Sequence, residues 1–218
     1  MSDEHNRPFK AADPDYEPRE RGLKRRDRFL DVATEVFLQH GFEAASLQEI
    51  VARAGGSLAT LYRLFGNKDG LFRAVIERKA ATAFGEVSVP ALAGREPGDV
   101  LFDLGTRLLD LILSRDAFGV HRLLIAEGAR NPQLREIFLA TAPLRIYGAL
   151  ADYLREQTEA GRLAVDDCHL AAVQFLEMVK GNYYMRGLLG EELRIPAKER
   201  RRVVRHAVEI FLHGVAPP

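Results

Sequence analysis

Two short amphipathic segments, separated by paired glycines, constrain the fold of this chain more than any other feature. They read SLQEIVARAGGSLATLYRLF over residues 46–65. In each half the apolar residues recur every three to four positions, which is the period of a helix with one buried face. A serine precedes each half, and its hydroxyl can accept a hydrogen bond from the free amides of a helix N-terminus. The pattern predicts two short helices joined by a tight turn.

A longer helix is predicted before this pair. It runs from about Glu20 to His40, with Phe29 and Phe37 among its buried residues. Gly41 follows, and glycine readily adopts the left-handed conformation that ends a helix. We therefore expect the next residue, Phe42, to fold back towards Phe37.

The signals at the two short helices are local. Ser46 and Glu49 have the spacing of a capping box, in which the hydroxyl and the carboxylate each accept an amide proton of the other residue. Gly55-Gly56 ends the first short helix, and Ser57 can cap the second, over about residues 58–65. A fourth helix is predicted from Lys68 to about Phe84.

The remainder of the chain also has helical periodicity, and no stretch shows the alternation of a strand. The predicted helices cover about 98–114, 116–130, 133–161, 167–189 and 197–213. Pro143 should kink or split the third of these, and Asp166 is the expected N-cap of the fourth. The predicted fold is all-α.

The predicted organisation has three parts. Residues 1–18 are polar, contain three prolines and lack periodicity, which indicates a disordered tail. Residues 19–66 form a small three-helix head, and residues 67–218 form a larger helical domain.

The charge distribution is uneven although the net charge is zero. Residues 19–79 contain twelve Lys/Arg and eight Asp/Glu, a local excess that suits contact with phosphates. The first residues lack the pattern of a signal peptide, and no apolar run approaches the roughly 18 residues that a membrane span requires. We therefore expect a cytoplasmic protein that does not bind membranes.

The second short helix has two distinct faces. Leu61 and Phe65 are four residues apart and are expected to pack inward, which leaves the polar and small residues outward. Two short helices with a glycine-containing turn have the format of a helix-turn-helix, whose second helix enters the major groove. An arginine on that helix can bind guanine O6 and N7. The predicted DNA contacts are Ser46, Ser57, Leu58, Ala59, Thr60, Tyr62, Arg63 and Lys68.

These residues resemble the TetR family of one-component regulators. The similar span is about Arg25 to Ile76, and it includes the Gly41-Phe42 corner, the Ala54-Gly55 turn, the Thr60-Leu61-Tyr62 triplet and the Phe65-x-x-Lys68 spacing. The resemblance implies a DNA-binding head followed by a helical ligand-binding and dimerisation body. It also implies that Thr60 and Tyr62 contact DNA, with Tyr62 and Lys68 on phosphate. The later segments AEGARNPQLREIF and LLGEEL are similar to the AefR-like subgroup.

The chain departs from the family pattern at five positions. Val51, Gly56 and Ala59 replace alanine, valine and glycine, which are small changes of bulk. Leu58 replaces a polar residue, and it either contacts a thymine methyl group or packs inward. Leu64 replaces a histidine or aromatic residue, and no DNA contact is assigned to it.

The larger domain is expected to bind a small-molecule effector and a second copy of the chain. Bulky apolar residues with an occasional polar group suit the lining of a ligand pocket, although they also suit an ordinary core. The candidates are Phe118, His121, Tyr147, Phe175 and Met178. The last two helices carry more apolar surface than one chain readily hides, which predicts a four-helix dimer interface. The predicted DNA partner is a near-palindromic operator.

No enzyme is predicted. The six histidines are scattered and form no convincing metal site, no cofactor motif is present, and the single cysteine, Cys168, is expected to be a small buried residue. The alternative function is a helical small-molecule carrier or interaction protein whose head does not bind DNA, and Gly56, Leu58 and Leu64 leave room for it.

Overall fold

The computed structural model describes residues 20–84, 92, 94–141 and 143–215. The predicted tail at residues 1–18 lies outside this range. Within it there are ten helices and no strand, which confirms the all-α prediction. The helices are α1 (Glu20–Ala44), α2 (Leu47–Ala54), α3 (Leu58–Phe65), α4 (Lys68–Phe84), α5 (Pro97–Ile112), α6 (Arg115–Glu127), α7 (Pro132–Thr141), α8 (Pro143–Glu159), α9 (Cys168–Leu188) and α10 (Ala197–Val215).

These helices form two compact units. The first, here called the head unit, contains residues up to Arg78 together with Leu123–Ile137. The second, the body unit, contains Lys79–Arg122 and the residues from Phe138 onward. Helices α4, α6 and α7 each begin in one unit and end in the other.

The head unit is organised around α1. As predicted, Phe29, Ala33, Val36 and Phe37 of α1 are buried. The helix breaks at Gly41, where φ is 78° and ψ is 172°, a backbone conformation open essentially to glycine alone. The prediction of a left-handed cap was right about the positive φ but not about ψ. Phe42 then stacks on Phe37, with ring centroids 5.6 Å apart, which confirms the expected fold-back.

The body unit packs α5, α8, α9 and α10 around an apolar core. Leu101, Leu109, Phe175 and Val204 are fully buried there. Tyr153 is also fully buried, and its hydroxyl donates a hydrogen bond of 2.8 Å to the Arg95 carbonyl oxygen. The burial of this polar tip is therefore compensated.

Two predicted helix boundaries were informative. Pro143 begins α8, so the predicted single helix over 133–161 is split into α7 and α8, as one of the two expected outcomes. The N-cap of α9 is Asp167 rather than Asp166, since the Asp167 carboxylate accepts from the Leu170 amide at 2.9 Å. Asp166 and Asp167 are both typical N-cap residues, and Asp167 is the N-cap because the helix begins at Cys168. Cys168, the first residue of α9, is only partly buried.

A break within α9 was not predicted. Gly181 has φ 51° and ψ −153°, and this non-helical conformation interrupts the helix directly after Lys180 and before Tyr184. Beyond the break, Gly187 lies directly against the Phe118 ring, and a Cβ at this position would overlap that ring. Among the described helices, none is both long and apolar enough to cross a bilayer.

Candidate functional site

Both short helices of the head unit are capped by the serines that precede them. The Ser46 hydroxyl accepts from the Glu49 amide at 3.3 Å, and the Ser57 hydroxyl accepts from the Thr60 amide at 3.2 Å. Gly55 ends α2 in the left-handed conformation. The Glu49 carboxylate faces Arg53 and His40, at 3.3 and 3.6 Å, rather than completing the capping box. The turn between α2 and α3 is thus defined by local hydrogen bonds.

The two faces of α3 have the predicted orientation. Leu61 is fully buried, and Phe65 is buried with its ring edge-to-face against Phe29, at 6.2 Å between centroids. Tyr62 lies between them in sequence and is 49% exposed. Arg63 and Ala59 are also exposed. This face therefore has the accessibility that insertion into a groove requires.

Three residues of the α3 segment are only partly exposed. The Thr60 hydroxyl lies 3.0 Å from the Ser57 hydroxyl, so these two side chains share a hydrogen bond at the start of the helix. Leu58 and Leu64 are partly buried. The DNA contacts of Thr60, Leu58 and the other predicted residues remain predictions, and none is assigned to Leu64.

Lys68 has a second partner that the sequence did not indicate. Its ammonium donates a hydrogen bond of 2.8 Å to the Glu43 carbonyl oxygen and lies 5.0 Å from the centroid of the Phe42 ring. Burial lowers the pKa of Lys68, against the opposing effect of Glu43, Glu127 and Asp69. One of its three N–H groups therefore binds Glu43, just beyond the break in α1 at Gly41, whereas its predicted phosphate contact is untested.

One basic residue of α1 packs against α3, and three others on the same helix are exposed. The guanidinium of Arg26 stands 5.8 Å from the centroid of the Phe65 ring, on the inner side of α3. Lys24, Arg25 and Arg28 are exposed on the same helix.

Two family profiles match the chain over these elements and beyond them. The profile of bacterial regulatory proteins, tetR family, matches residues 29–75. The profile of the AefR-like transcriptional repressor, C-terminal domain, matches residues 99–214, which is more than half of the chain.

The chain belongs to the TetR family.

Individual relatives agree with this assignment. This TetR-family protein is 53% identical over 53 residues to ComR, an HTH-type transcriptional repressor of Escherichia coli (strain K12), a match that covers 24% of this chain and 25% of ComR. YvkB, an HTH-type transcriptional regulator of Bacillus subtilis (strain 168), is 25% identical over 195 residues, covering 87% of this chain and 96% of YvkB.

Solved structures of TetR-family regulators have the same fold. A regulator from Mesorhizobium loti superposes with a TM-score of 0.76 at 25% identity, over 91% of this chain and all of the other. The flavonoid-responsive regulator FrrA superposes with a TM-score of 0.71 at 29% identity, over 89% of this chain and 98% of FrrA. The present TetR-family protein is therefore a DNA-binding transcriptional regulator, as predicted.

The predicted effector residues of this TetR-family protein divide into two groups. Phe175 lies fully buried in the apolar core against Phe211, and Met178 is 36% exposed on α9. Phe118, His121 and Tyr147 belong instead to a cluster of aromatic and polar groups within the body unit, here called the body cluster. Its members are Phe118, His121, Phe138, Tyr147, Glu177, Lys180 and Tyr184.

His121 is the most buried polar group of the body cluster. Its ring meets Phe138 and Tyr184 edge-to-face, with centroids 5.2 and 5.3 Å away. Burial lowers the pKa of His121 to about 4, opposed by a hydrogen-bonding contribution from the Ala117 backbone and reinforced by the charge of Lys180. His121 is therefore neutral at pH 7, and its Nδ1 makes no hydrogen bond of normal geometry.

A hydrogen-bonded triad completes the cluster. The Tyr147 hydroxyl donates to Glu177 at 3.1 Å, and the Lys180 ammonium donates to both Glu177 and the Tyr147 oxygen. Burial acts to lower the pKa of Lys180, but the Glu177 carboxylate and Tyr147 outweigh it, so that this pKa is raised. Lys180 remains charged.

The sequence did not indicate Lys180, Glu177 or Tyr184 as candidates for the effector site. Glu177 and Lys180 are three residues apart, and Tyr184 follows four residues later, so helical spacing offered one signal. The break at Gly181 falls within that spacing, which is why the spacing alone could not establish their proximity.

Proposed function

We propose that this protein is a homodimeric, ligand-responsive repressor that acts in the cytoplasm by binding rather than by catalysis. The α3 helices of two subunits would enter successive major grooves about 34 Å apart on a near-palindromic operator. The observation that carries the proposal is the exposed Tyr62 between the buried Leu61 and Phe65, on a helix capped at its N-terminus. Repression is favoured by the AefR-like repressor profile and by the similarity to ComR.

The first test is a gel shift with the DNA upstream of the protein's own gene. We expect selective retardation at moderate salt and a steep loss of affinity between roughly 50 and 200 mM salt, because bound cations release counterions from the DNA. A carrier with an inactive head would show neither effect. Retardation equal to that of scrambled DNA would contradict operator recognition.

Variants separate base contacts from phosphate contacts. Replacing Arg63 with Ala should relax the sequence preference at one base pair, by about 1–3 kcal/mol, if Arg63 reads a guanine. Replacing Tyr62 with Ala should weaken binding to all sequences. Arg194→Ala is the matched control for loss of one positive charge, since Arg194 is almost fully exposed on the segment before α10.

Dimerisation is supported by apolar side chains that the body unit leaves exposed. The predicted dimer interface relied on all the apolar residues of the last two helices, but several of these residues do not lie at the surface. They are buried in the core of the chain itself: Phe175, Val179, Val204, Val208 and Phe211. The apolar residues that remain exposed on α9 and α10 are Leu170, Met178, Met185 and Ile210. Exposed apolar surface on two helices favours a contact with a second subunit.

The effector we propose is a planar aromatic compound with hydroxyl groups. The body cluster offers ring faces and edges from Phe118, Phe138 and Tyr184, together with polar groups from His121 and Lys180. Such a mixture suits a ligand that is largely apolar but carries a few hydroxyl groups. FrrA, 29% identical, is described as flavonoid-responsive, which favours the same class.

A flavonoid such as naringenin tests this class against a straight-chain fatty acid of similar length. We expect the flavonoid to release the DNA at the lower concentration. Tyr147→Phe and Lys180→Met should weaken that release. Tyr153→Phe, which removes a buried hydroxyl elsewhere in the body unit, should leave it unchanged. Release by the fatty acid alone would contradict the proposed chemistry.

A further inference from the structure

The head unit includes a segment from far along the chain. Residues 123–137 contain the end of α6 and the start of α7, and they fold with the residues up to Arg78. Leu134 and Ile137 of this segment are fully buried. The head unit therefore includes residues 123–137 in addition to the segment that carries the helix-turn-helix.

Glu127, the last residue of α6, binds the backbone of the corner at residues 41–43, where α1 is broken. Its carboxylate accepts hydrogen bonds from the Phe42 amide, at 3.0 and 3.1 Å to the two oxygens, and from the Glu43 amide at 3.1 Å. These amides follow the break at Gly41, where the helix no longer supplies a regular partner. A charged acceptor makes such bonds shorter and stronger than a neutral one.

Gly41 is required for this contact as well as for the break. A Cβ at position 41 would overlap the Glu127 Oε1 atom. The positive φ and the close approach of the Glu127 carboxylate therefore both require glycine at position 41.

The same corner also holds the helix that follows α3. Lys68, three residues after the end of α3, donates to the Glu43 carbonyl oxygen, and its ammonium lies over the Phe42 ring. From the other side, the Asn131 side-chain amide donates to the Glu43 carboxylate at 2.8 Å. Residues 42 and 43 therefore connect Glu127 with the start of α4.

We propose that Glu127 is a positioning residue for DNA binding. Its carboxylate fixes the corner at residues 41–43, the corner holds Lys68, and Lys68 begins the helix that follows the recognition helix after two residues. Glu127 touches neither base nor phosphate in this mechanism. Because α6 begins at Arg115 in the body unit, the residue that fixes the corner stands at the end of a helix that both units share.

The test compares three variants of the full chain. Glu127→Ala removes both acceptors, Glu127→Gln keeps one oxygen in the same shape, and Glu136→Ala removes an exposed carboxylate from the same segment. We expect operator affinity to fall about tenfold or more for Ala, by less for Gln, and not at all for the control. The slope of affinity against salt should stay that of the wild type, since no phosphate contact is lost.

A second measurement separates positioning from stability. Leu134→Ala opens a cavity in the same segment and should destabilise the protein, yet the folded fraction should bind DNA with wild-type affinity. Amide hydrogen exchange at residues 42 and 43, measured without DNA, should accelerate in Glu127→Ala but not in Leu134→Ala under conditions where both remain folded.

Two results would overturn the proposal. One is wild-type operator affinity in both single variants, Glu127→Gln and Glu127→Ala. The other is a loss of affinity that follows the unfolded fraction alone, equally in Glu127→Ala and Leu134→Ala. If Glu127→Ala does not fold, Glu127→Gln decides: reduced affinity with faster exchange at residues 42 and 43 supports the role, and wild-type affinity rejects it.

Discussion

The Phe29 ring occupies the space into which any side chain at position 56 would extend. A Cβ added at Gly56 would lie 2.5 Å from the Phe29 Cζ atom. Phe29 is itself fully buried and packs on Phe65 of the recognition helix. The glycine that replaces the valine usual in the family is therefore the counterpart of a large aromatic residue on α1.

Gly56→Val should destabilise the head by about 1–3 kcal/mol, because an overpacked core displaces side chains from their preferred rotamers. Urea denaturation followed by circular dichroism measures this change. The double variant Phe29→Leu with Gly56→Val should lose less stability than the sum of the two single variants. Strict additivity would show that the two residues do not compete for space.

Adjacent residues of α3 should respond in opposite ways to truncation. Leu61→Ala removes a fully buried side chain and should cost about 2–5 kcal/mol of stability. Tyr62→Ala removes an exposed one and should change stability by no more than about 0.5 kcal/mol. The same urea titrations measure both, and binding to operator DNA should be weakened in folded Tyr62→Ala. A strongly destabilised Tyr62→Ala would mean that this ring belongs to the core.

Stability should depend on pH through His121. Its pKa is about 4 in the folded protein and near 6.5 when unfolded, so the unfolded chain binds the proton more readily. The stabilisation that depends on neutral His121 is fully present above pH 6.5, and it is lost from the free energy of unfolding as the pH falls towards 4. By linkage it amounts to about 3 kcal/mol.

Unfolding free energies from urea titrations between pH 7 and pH 4 test this expectation. His121→Leu should lose part of the wild-type slope within that window. His206→Gln is the control, since that side chain is largely exposed on α10, and its slope should match the wild type. A His121→Leu protein with an unchanged slope would contradict the burial effect.

Charges placed on the exposed apolar residues of α9 and α10 should prevent dimerisation. Met185 and Ile210 are 58% and 50% exposed, so Met185→Lys and Ile210→Lys should fold normally while burying an unpaired charge in any interface they occupy. Light scattering after size-exclusion chromatography measures the mass. Leu139→Lys, at a leucine of α7 that is 47% exposed, should leave the mass unchanged. A dimer that survives both substitutions would place the interface elsewhere.

Much of the head could be predicted from the sequence because its signals are local. The caps at Ser46 and Ser57 and the turn at Gly55 depend on hydrogen bonds between residues at most five positions apart. The inward direction of Leu61 and the outward direction of Tyr62 follow from helical periodicity alone. These features identified the helix-turn-helix and the family.

Other features depend on segments that meet only in the folded chain. Glu127 binds the amide of a residue 85 positions away, and no spacing rule connects them. The same holds for the gathering of His121, Tyr147 and Lys180, and for the contact of Phe175 with Phe211 in the core. Periodicity shows which face of a helix is buried, but the packing of distant helices decides which partner each buried group receives.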